Sequence, residues 1–303
     1  IPQSKISVRN TLENTTFPHS TLTHSMYKIL LFGKHGQIGS ELTRLLSSFE
    51  LTALGKNDVD ILDHKTITKA VNTVRPDFII NTVAYNDVDG AESNPNLAIS
   101  INTCANKFLA CLSAKYGSFY ITYSSDYVFD GEKRTPYLET DIPNPLNKYG
   151  KSKLDGDIAV QNSTDHYIIL RTSSVYSLDR PCFLTKIIAQ AKTKNKIQVP
   201  SDLVSCPTSA KFIAQATAIL IQNFRSNLRQ HSGLYNLCAS GAASRYEWAM
   251  AIKQTLNLDV EITPICRDFL AKAPRPTYSC LGNLSFQNTF SQKIPHWKEI
   301  LDN

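Results

Sequence analysis

The chain has 303 residues, 42% of them hydrophobic and 19% charged, with a formal net charge of +6. Such a chain can bury roughly three quarters of its unfolded surface in one large or two modest globular domains. Its lysines are dispersed and its densest basic run, 192–196, lacks interleaved aromatics, which argues against nucleic acid as a partner. Seven cysteines form no C-x-x-C pair, and Cys104, Cys111 and Cys238 stand among apolar neighbours. They read as buried thiols of a reducing compartment, the cytoplasm, and not as zinc ligands or disulfides. The seven histidines show no metal-ligand spacing, and no apolar run approaches the ~20 residues that would cross a bilayer. Neither a metal nor a membrane is expected.

Residues 1–25 are rich in Ser and Thr without hydrophobic periodicity, and read as a disordered leader before Met26. From Tyr27 the pattern is regular. Lys28-Ile29-Leu30-Leu31-Phe32 is a short continuous apolar run, as expected of a parallel strand buried on both faces. It enters Gly33-Lys34-His35-Gly36-Gln37-Ile38-Gly39, followed by a helical stripe at Ile38, Leu42, Leu45, Leu46 and Phe49. Strand, glycine loop and helix in this order form a cradle for a dinucleotide pyrophosphate at the helix N-terminus. His35 reads as an ordinary loop residue.

A second strand, 51–54, ends at Gly55-Lys56-Asn57, where an acid commonly grips the ribose hydroxyls of NAD. No acid stands in that slot, whereas Lys56 follows and Lys34 is at hand in the loop. That favours the 2′-phosphate of NADPH, with NADH as the alternative. Asp60 and Ile61 lead into a helix to about Arg75, and a strand over 78–83 delivers Ala84 and Tyr85 to its C-terminal end. A long helix from Asn94-Pro95 is expected to bury Leu97, Ile101, Cys104, Phe108 and Leu112. Strands over 118–123 and 166–170 follow. The alternation predicts an α/β doubly wound parallel sheet of Rossmann type over 26–172, with a smaller, interleaved substrate-binding domain mainly over 173–303.

Tyr149-Gly150-Lys151-Ser152-Lys153 sets a phenol and an ammonium one helical turn apart, with Ser125 upstream at a strand end. An ammonium beside a phenol favours the phenolate, so Lys153 is expected to lower the pKa of Tyr149. Hydroxyl, phenol and ammonium downstream of a glycine loop follow the order of extended short-chain dehydrogenases/reductases. The glycine loop, the stretch Ser124 to Gly131, the run Pro145 to Leu154, Arg171-Thr172-Ser173, Pro207-Thr208 and Arg275-Pro276 together resemble the dTDP-4-dehydrorhamnose reductase family.

The resemblance implies a nicotinamide cofactor and a nucleotide-linked 4-keto-6-deoxysugar as substrate, in deoxysugar and cell-surface polysaccharide synthesis. Tyr149 would protonate the C4 carbonyl oxygen and Ser125 hydrogen-bond it. Lys153 would hold the nicotinamide ribose, Tyr127 line the sugar pocket and Arg275 meet the pyrophosphate, a surface ion pair being the other reading of Arg275. A homodimer is the expected assembly. The chain departs from the family at Ser174, where tryptophan is usual, at Val175-Tyr176-Ser177, which lacks a glycine, and at 201–205. Two further readings stand beside the reductase. One is a non-catalytic, NADP-binding regulatory subunit resembling the β subunit of methionine adenosyltransferase. The other is an extended-family epimerase or dehydratase, although no glutamate follows Asp126 as a dehydratase would want.

Overall fold

The computed structural model describes residues 27–223, 227–266 and 272–301. The expected leader, 1–25, lies outside them. Six strands form one wholly parallel sheet: β1 (Lys28–Phe32), β2 (Glu50–Leu54), β3 (Phe78–Asn81), β4 (Phe119–Ser125), β5 (Tyr167–Thr172) and β6 (Gly233–Asn236). Their spatial order is β6-β5-β4-β3-β1-β2. The chain winds outward from β1 to β2, then returns to add β3 on the other side. Leu31 accordingly pairs with Ala53 on one flank and Ile80 on the other. This reversal opens a crevice beyond the strand C-termini, where ligands of such sheets bind.

Side chains alternate along each strand, which explains why the runs are apolar throughout. Ile29 and Leu31 enter one core with Ile80, Ile121, Ile168 and Leu42. Leu30 and Phe32 enter the opposite one with Ile79, Tyr120, Ile169 and Ile67. Truncating one such fully buried leucine to alanine costs about 2–5 kcal/mol. The glycine-loop helix is Gln37–Leu45, and Leu42 and Leu46 are its fully buried contacts.

The segment Pro95–Tyr116 departs from expectation. Its middle, Ser100–Ala105, is π-helical between the α-helical pieces Pro95–Ile99 and Asn106–Tyr116. The wider turn rotates the buried face onto Ala98, Asn102, Ala105, Asn106 and Leu109. Of the expected stripe only Leu112 is buried, and Cys104 and Cys111 are exposed. The buried face is partly polar because it serves polar partners. Asn106 accepts hydrogen bonds from Asn81, Tyr120 and Thr122 (3.0, 2.7 and 2.9 Å). Asn102 donates to the Tyr85 carbonyl at 3.1 Å and to Ser152 at 2.9 Å. By length and composition these 22 residues could cross a membrane, contrary to the sequence expectation. In the fold 44% of that apolar window is buried.

Beyond β5 a further apolar core gathers Leu184, Ile187, Val199, Trp248, Ile252 and Ile262. It includes a parallel pair, Lys196–Pro200 with Glu261–Ile265, that the sequence reading did not identify. From within this later part of the chain, β6 returns to the edge of the main sheet beside β5.

Candidate active site

A cavity of about 870 Å³ runs along the strand C-termini, and most of the expected cofactor residues line it: Gly33, Gly36, Gln37, Ile38, Lys56, Asp60, Ile61, Ala84 and Tyr85. Gly33 has φ +93°, and a Cβ on Gly39 would meet the Gly33 carbonyl oxygen at 2.0 Å. The loop therefore turns, and the helix packs on β1, only with glycine at these two places. Gly39 lies behind the cavity wall. Gly36 caps the helix without any side-chain hydrogen bond, leaving its first amides and positive dipole end for an anion.

Lys56 lines the cavity as expected, whereas Lys34 does not. The turn after β2 folds back so that Asp58 accepts hydrogen bonds from the Gly55 amide and from Lys34, both at 2.7 Å. Lys34 is thus the ion-pair partner of Asp58, and neither side chain lines the cavity. The Lys34 ammonium, followed by the Gly55 amide, holds the Asp58 carboxyl below its ordinary range. Lys56 and His35 line the cavity beside them.

The helix Lys148–Gln161 carries the catalytic candidates. Asn147 caps it, accepting from the Gly150 amide at 2.7 Å. A Cβ on Gly150 would meet the Tyr127 carbonyl oxygen at 2.1 Å, so glycine lets this helix press against the end of β4. Ser125, Tyr149 and Lys153 all reach the same cavity, as do Asp126, Thr172, Ser174 and Val175. Lys153 donates to the Tyr123 carbonyl at 2.8 Å. Burial lowers its pKa to about 8, opposed by the carboxylate of Asp157. Burial also raises the phenol of Tyr149, with hydrogen bonding to Ser125 pulling the other way. Desolvation is the largest influence on the Tyr149 phenol in this arrangement.

Asp126 is buried beneath Ser125. It accepts from Ser125 at 3.2 Å, Ser173 at 2.9 Å and Ser279, and burial raises its pKa to about 6. Sequence reasoning had considered it only as a dehydratase acid, because the serines that hold it come from distant segments.

Tyr127 stands edge-on to Tyr149, ring centroids 5.8 Å apart, and its hydroxyl lies in the field of Arg245 and Arg275. Those arginines line a second cavity, about 750 Å³, together with Lys186 and Lys272. Arg275 also binds Asp89 at 2.7 Å, so it is both an ion-pair partner and a wall of the cavity. Lys186, Arg245 and Lys272 escaped the sequence reading, since three separate segments contribute them. Ser174, at φ +44°, shares a 2.7 Å hydrogen bond with Ser205.

Among the described residues no cluster of His, Cys, Asp or Glu could hold a metal.

Residues 27–303 match the family model described as the RmlD substrate binding domain. The dTDP-4-dehydrorhamnose reductase of Shigella flexneri is 35% identical over 283 residues, covering 89% of this chain and 94% of the relative. The spore coat polysaccharide biosynthesis protein SpsK of Bacillus subtilis is 33% identical, with 91% and 96% covered. Among solved structures, a dTDP-4-dehydrorhamnose reductase from Clostridium acetobutylicum superposes with a TM-score of 0.85 at 32% identity, covering 90% of this chain and 96% of that one. A Bacillus anthracis dTDP-4-dehydrorhamnose reductase in complex with NADP gives 0.85 at 28%, covering 91% and 98%. A UDP-glucose 4-epimerase from Thermus thermophilus, with NAD, shares the fold at 18% identity and a TM-score of 0.75, covering 90% and 96%. With the glycine cradle, the Ser125–Tyr149–Lys153 set and these matches together, the chain belongs to the RmlD family of dTDP-4-dehydrorhamnose reductases.

Proposed function

We propose that this protein is an NADPH-dependent oxidoreductase that reduces the C4 keto group of a nucleotide-linked 6-deoxy-4-ketohexose, as in deoxysugar synthesis for cell-surface polysaccharide. The observation that carries this reading is the convergence of Ser125, Tyr149 and Lys153 on the cavity that the glycine loop also lines. The loop fits a dinucleotide: its helix N-terminus lacks a side-chain cap, and glycine is required where loop, helix and strand meet. Gly33, Gly36, Gln37 and Ile38 would hold the pyrophosphate, with Lys56 near a 2′-phosphate.

When bound, NADPH supplies a hydride to the carbonyl carbon. Tyr149 gives its phenolic proton to the C4 oxygen, while the Ser125 hydroxyl hydrogen-bonds the same oxygen. The raised phenol suits this direction of reaction, because Tyr149 stays protonated until charge develops on that oxygen. Lys153, anchored at the Tyr123 carbonyl and lining the same cavity, would hold the nicotinamide ribose and offer its positive charge to the phenolate. A positioned acid of this kind contributes about 10²–10⁴-fold in rate. The cations Lys186, Arg245, Lys272 and Arg275 suit the diphosphate of a nucleotide sugar.

The test is direct. Purified protein mixed with a dTDP-linked 4-keto-6-deoxyhexose should oxidise NADPH and yield the 4-hydroxy sugar. Absence of turnover with any nucleotide-linked 4-keto-6-deoxyhexose, under conditions where NADPH binds, would end the reductase reading.

A further inference from the structure

Beneath the ammonium of Lys153 lies a buried ion pair that the reaction as described does not use. Asp157, one turn further along the same helix, binds Arg171 of β5 through Oδ2 and Nε at 3.1 Å, with side-chain exposures of 5% and 4%. The Arg171 guanidinium also lies over the Phe129 ring, 5.3 Å from its centroid. Buried ion pairs are weak contributors to stability, and apolar replacements often do as well. Their position is the informative feature. We propose that Asp157 is a positioning residue of the active site: its carboxylate, clamped by Arg171, holds Lys153 as an ammonium beside Tyr149.

Two observations support this. Lys153 is itself 4% exposed, and burial works to discharge it. The Tyr123 carbonyl anchors Nζ but carries no net charge, and the charge that opposes discharge is Asp157. Arg171 in turn works against the burial that would protonate Asp157. The other titratable groups around this corner are Tyr149 on the same helix, Tyr123 on β4 and Asp126 after β4. The Tyr123 hydroxyl is engaged with Thr217 at 2.9 Å, and Asp126 is held by its three serines. Arg171 therefore favours the Asp157 carboxylate, and that carboxylate favours the Lys153 ammonium.

The experiment follows the ε-carbon of Lys153 by NMR in ¹³C-lysine-labelled protein, its signal identified as the one missing from Lys153→Met. In Asp157→Asn the titration should move down by about one pH unit or more, and Asp157→Glu should restore it. Because Asp157→Asn leaves Arg171 buried without a counter-charge, Asp157→Asn/Arg171→Met is made as well. It removes both charges and, because the carboxylate is the group that raises Lys153, should still show a downward shift, smaller than in the single variant, with the fold intact. The alkaline limb of the kcat profile should fall by the same interval, and this arm alone rests on the reductase reading. Unchanged titration of Lys153 in the double variant would overturn the proposal, whether or not the protein turns over a ketosugar. So would a glutamate variant that fails to restore the titration.

Discussion

Gly39→Ala tests whether the glycine loop is a cofactor cradle or only a tight turn. The new Cβ would stand 2.0 Å from the Gly33 carbonyl oxygen, 2.8 Å from the Gly33 carbonyl carbon and 2.8 Å from Thr82 Oγ1. Two of these are backbone atoms and cannot swing aside. Ordinary contact begins at 3.4 Å, so helix Gln37–Leu45 must retreat from β1 by about 1.4 Å. Overpacking of this kind costs about 1–3 kcal/mol. The retreat also draws the uncapped helix N-terminus away from the pyrophosphate, and a misplacement on the order of 1 Å can cost ~10²-fold in a positioned site. Urea unfolding should show the stability loss, and fluorescence titration should show NADPH binding weakened at least about tenfold. Gly36→Ala is the comparison: its Cβ meets only the Gly33 carbonyl oxygen, at 3.3 Å, so its stability cost should be smaller. If Gly39→Ala matched the parent in both measurements, the cradle argument would be refuted.

Tyr149→Phe should lower kcat by about 10²–10⁴-fold while NADPH binding, measured by calorimetry, stays close to the parent value; full-speed turnover would remove Tyr149 as the acid. Asp58→Asn releases Lys34 from its 2.7 Å ion pair, so the ratio of NADPH to NADH affinity should rise several-fold at low salt, and an unchanged ratio would show that this pair does not face the ribose. Asp126 should make the protein less stable as pH rises. Its folded pKa of about 6 lies above the ordinary 3.8, so the native state binds the extra proton between those values, and stability falls across that window. Relative to Asp126→Asn, denaturant unfolding should record a loss of up to roughly 3 kcal/mol between pH 4 and 6.5; parallel curves would show that Asp126 titrates normally.

The parts of this molecule written locally were legible in its residues. The β1 run, the glycine loop and the Tyr149 helix each depend on neighbours within a turn or two, and each appears where its pattern places it. What stayed hidden depends on distant pairing. Lys196–Pro200 and Glu261–Ile265 are five residues apiece and unconvincing alone; each is a strand because the other lies beside it. The pairing of Lys34 stayed hidden because Asp58 reaches back through a turn, which spacing from β2 does not reveal. The stripe through Cys104 failed because a π-helical turn changes the period on which any such reading relies. Asn102 and Asn106 carried the contrary signal, since two amides one turn apart in an apolar helix need polar partners. The second cavity's other cations could be found only once Lys186, Arg245 and Lys272 stood beside Arg275 around one space.

β6 is an edge strand of the main sheet, yet it is encoded after the helix and strand at Phe183–Ala191 and Lys196–Pro200 that build the other core. The halves are therefore laced together and cannot be inherited or excised as independent modules. A polypeptide ending at Thr172 would leave the β5 backbone unpaired at a sheet margin, a surface open to intermolecular strand addition. Gene fusions and truncations in this lineage should accordingly respect the span from β1 to the residues beyond β6 as one unit.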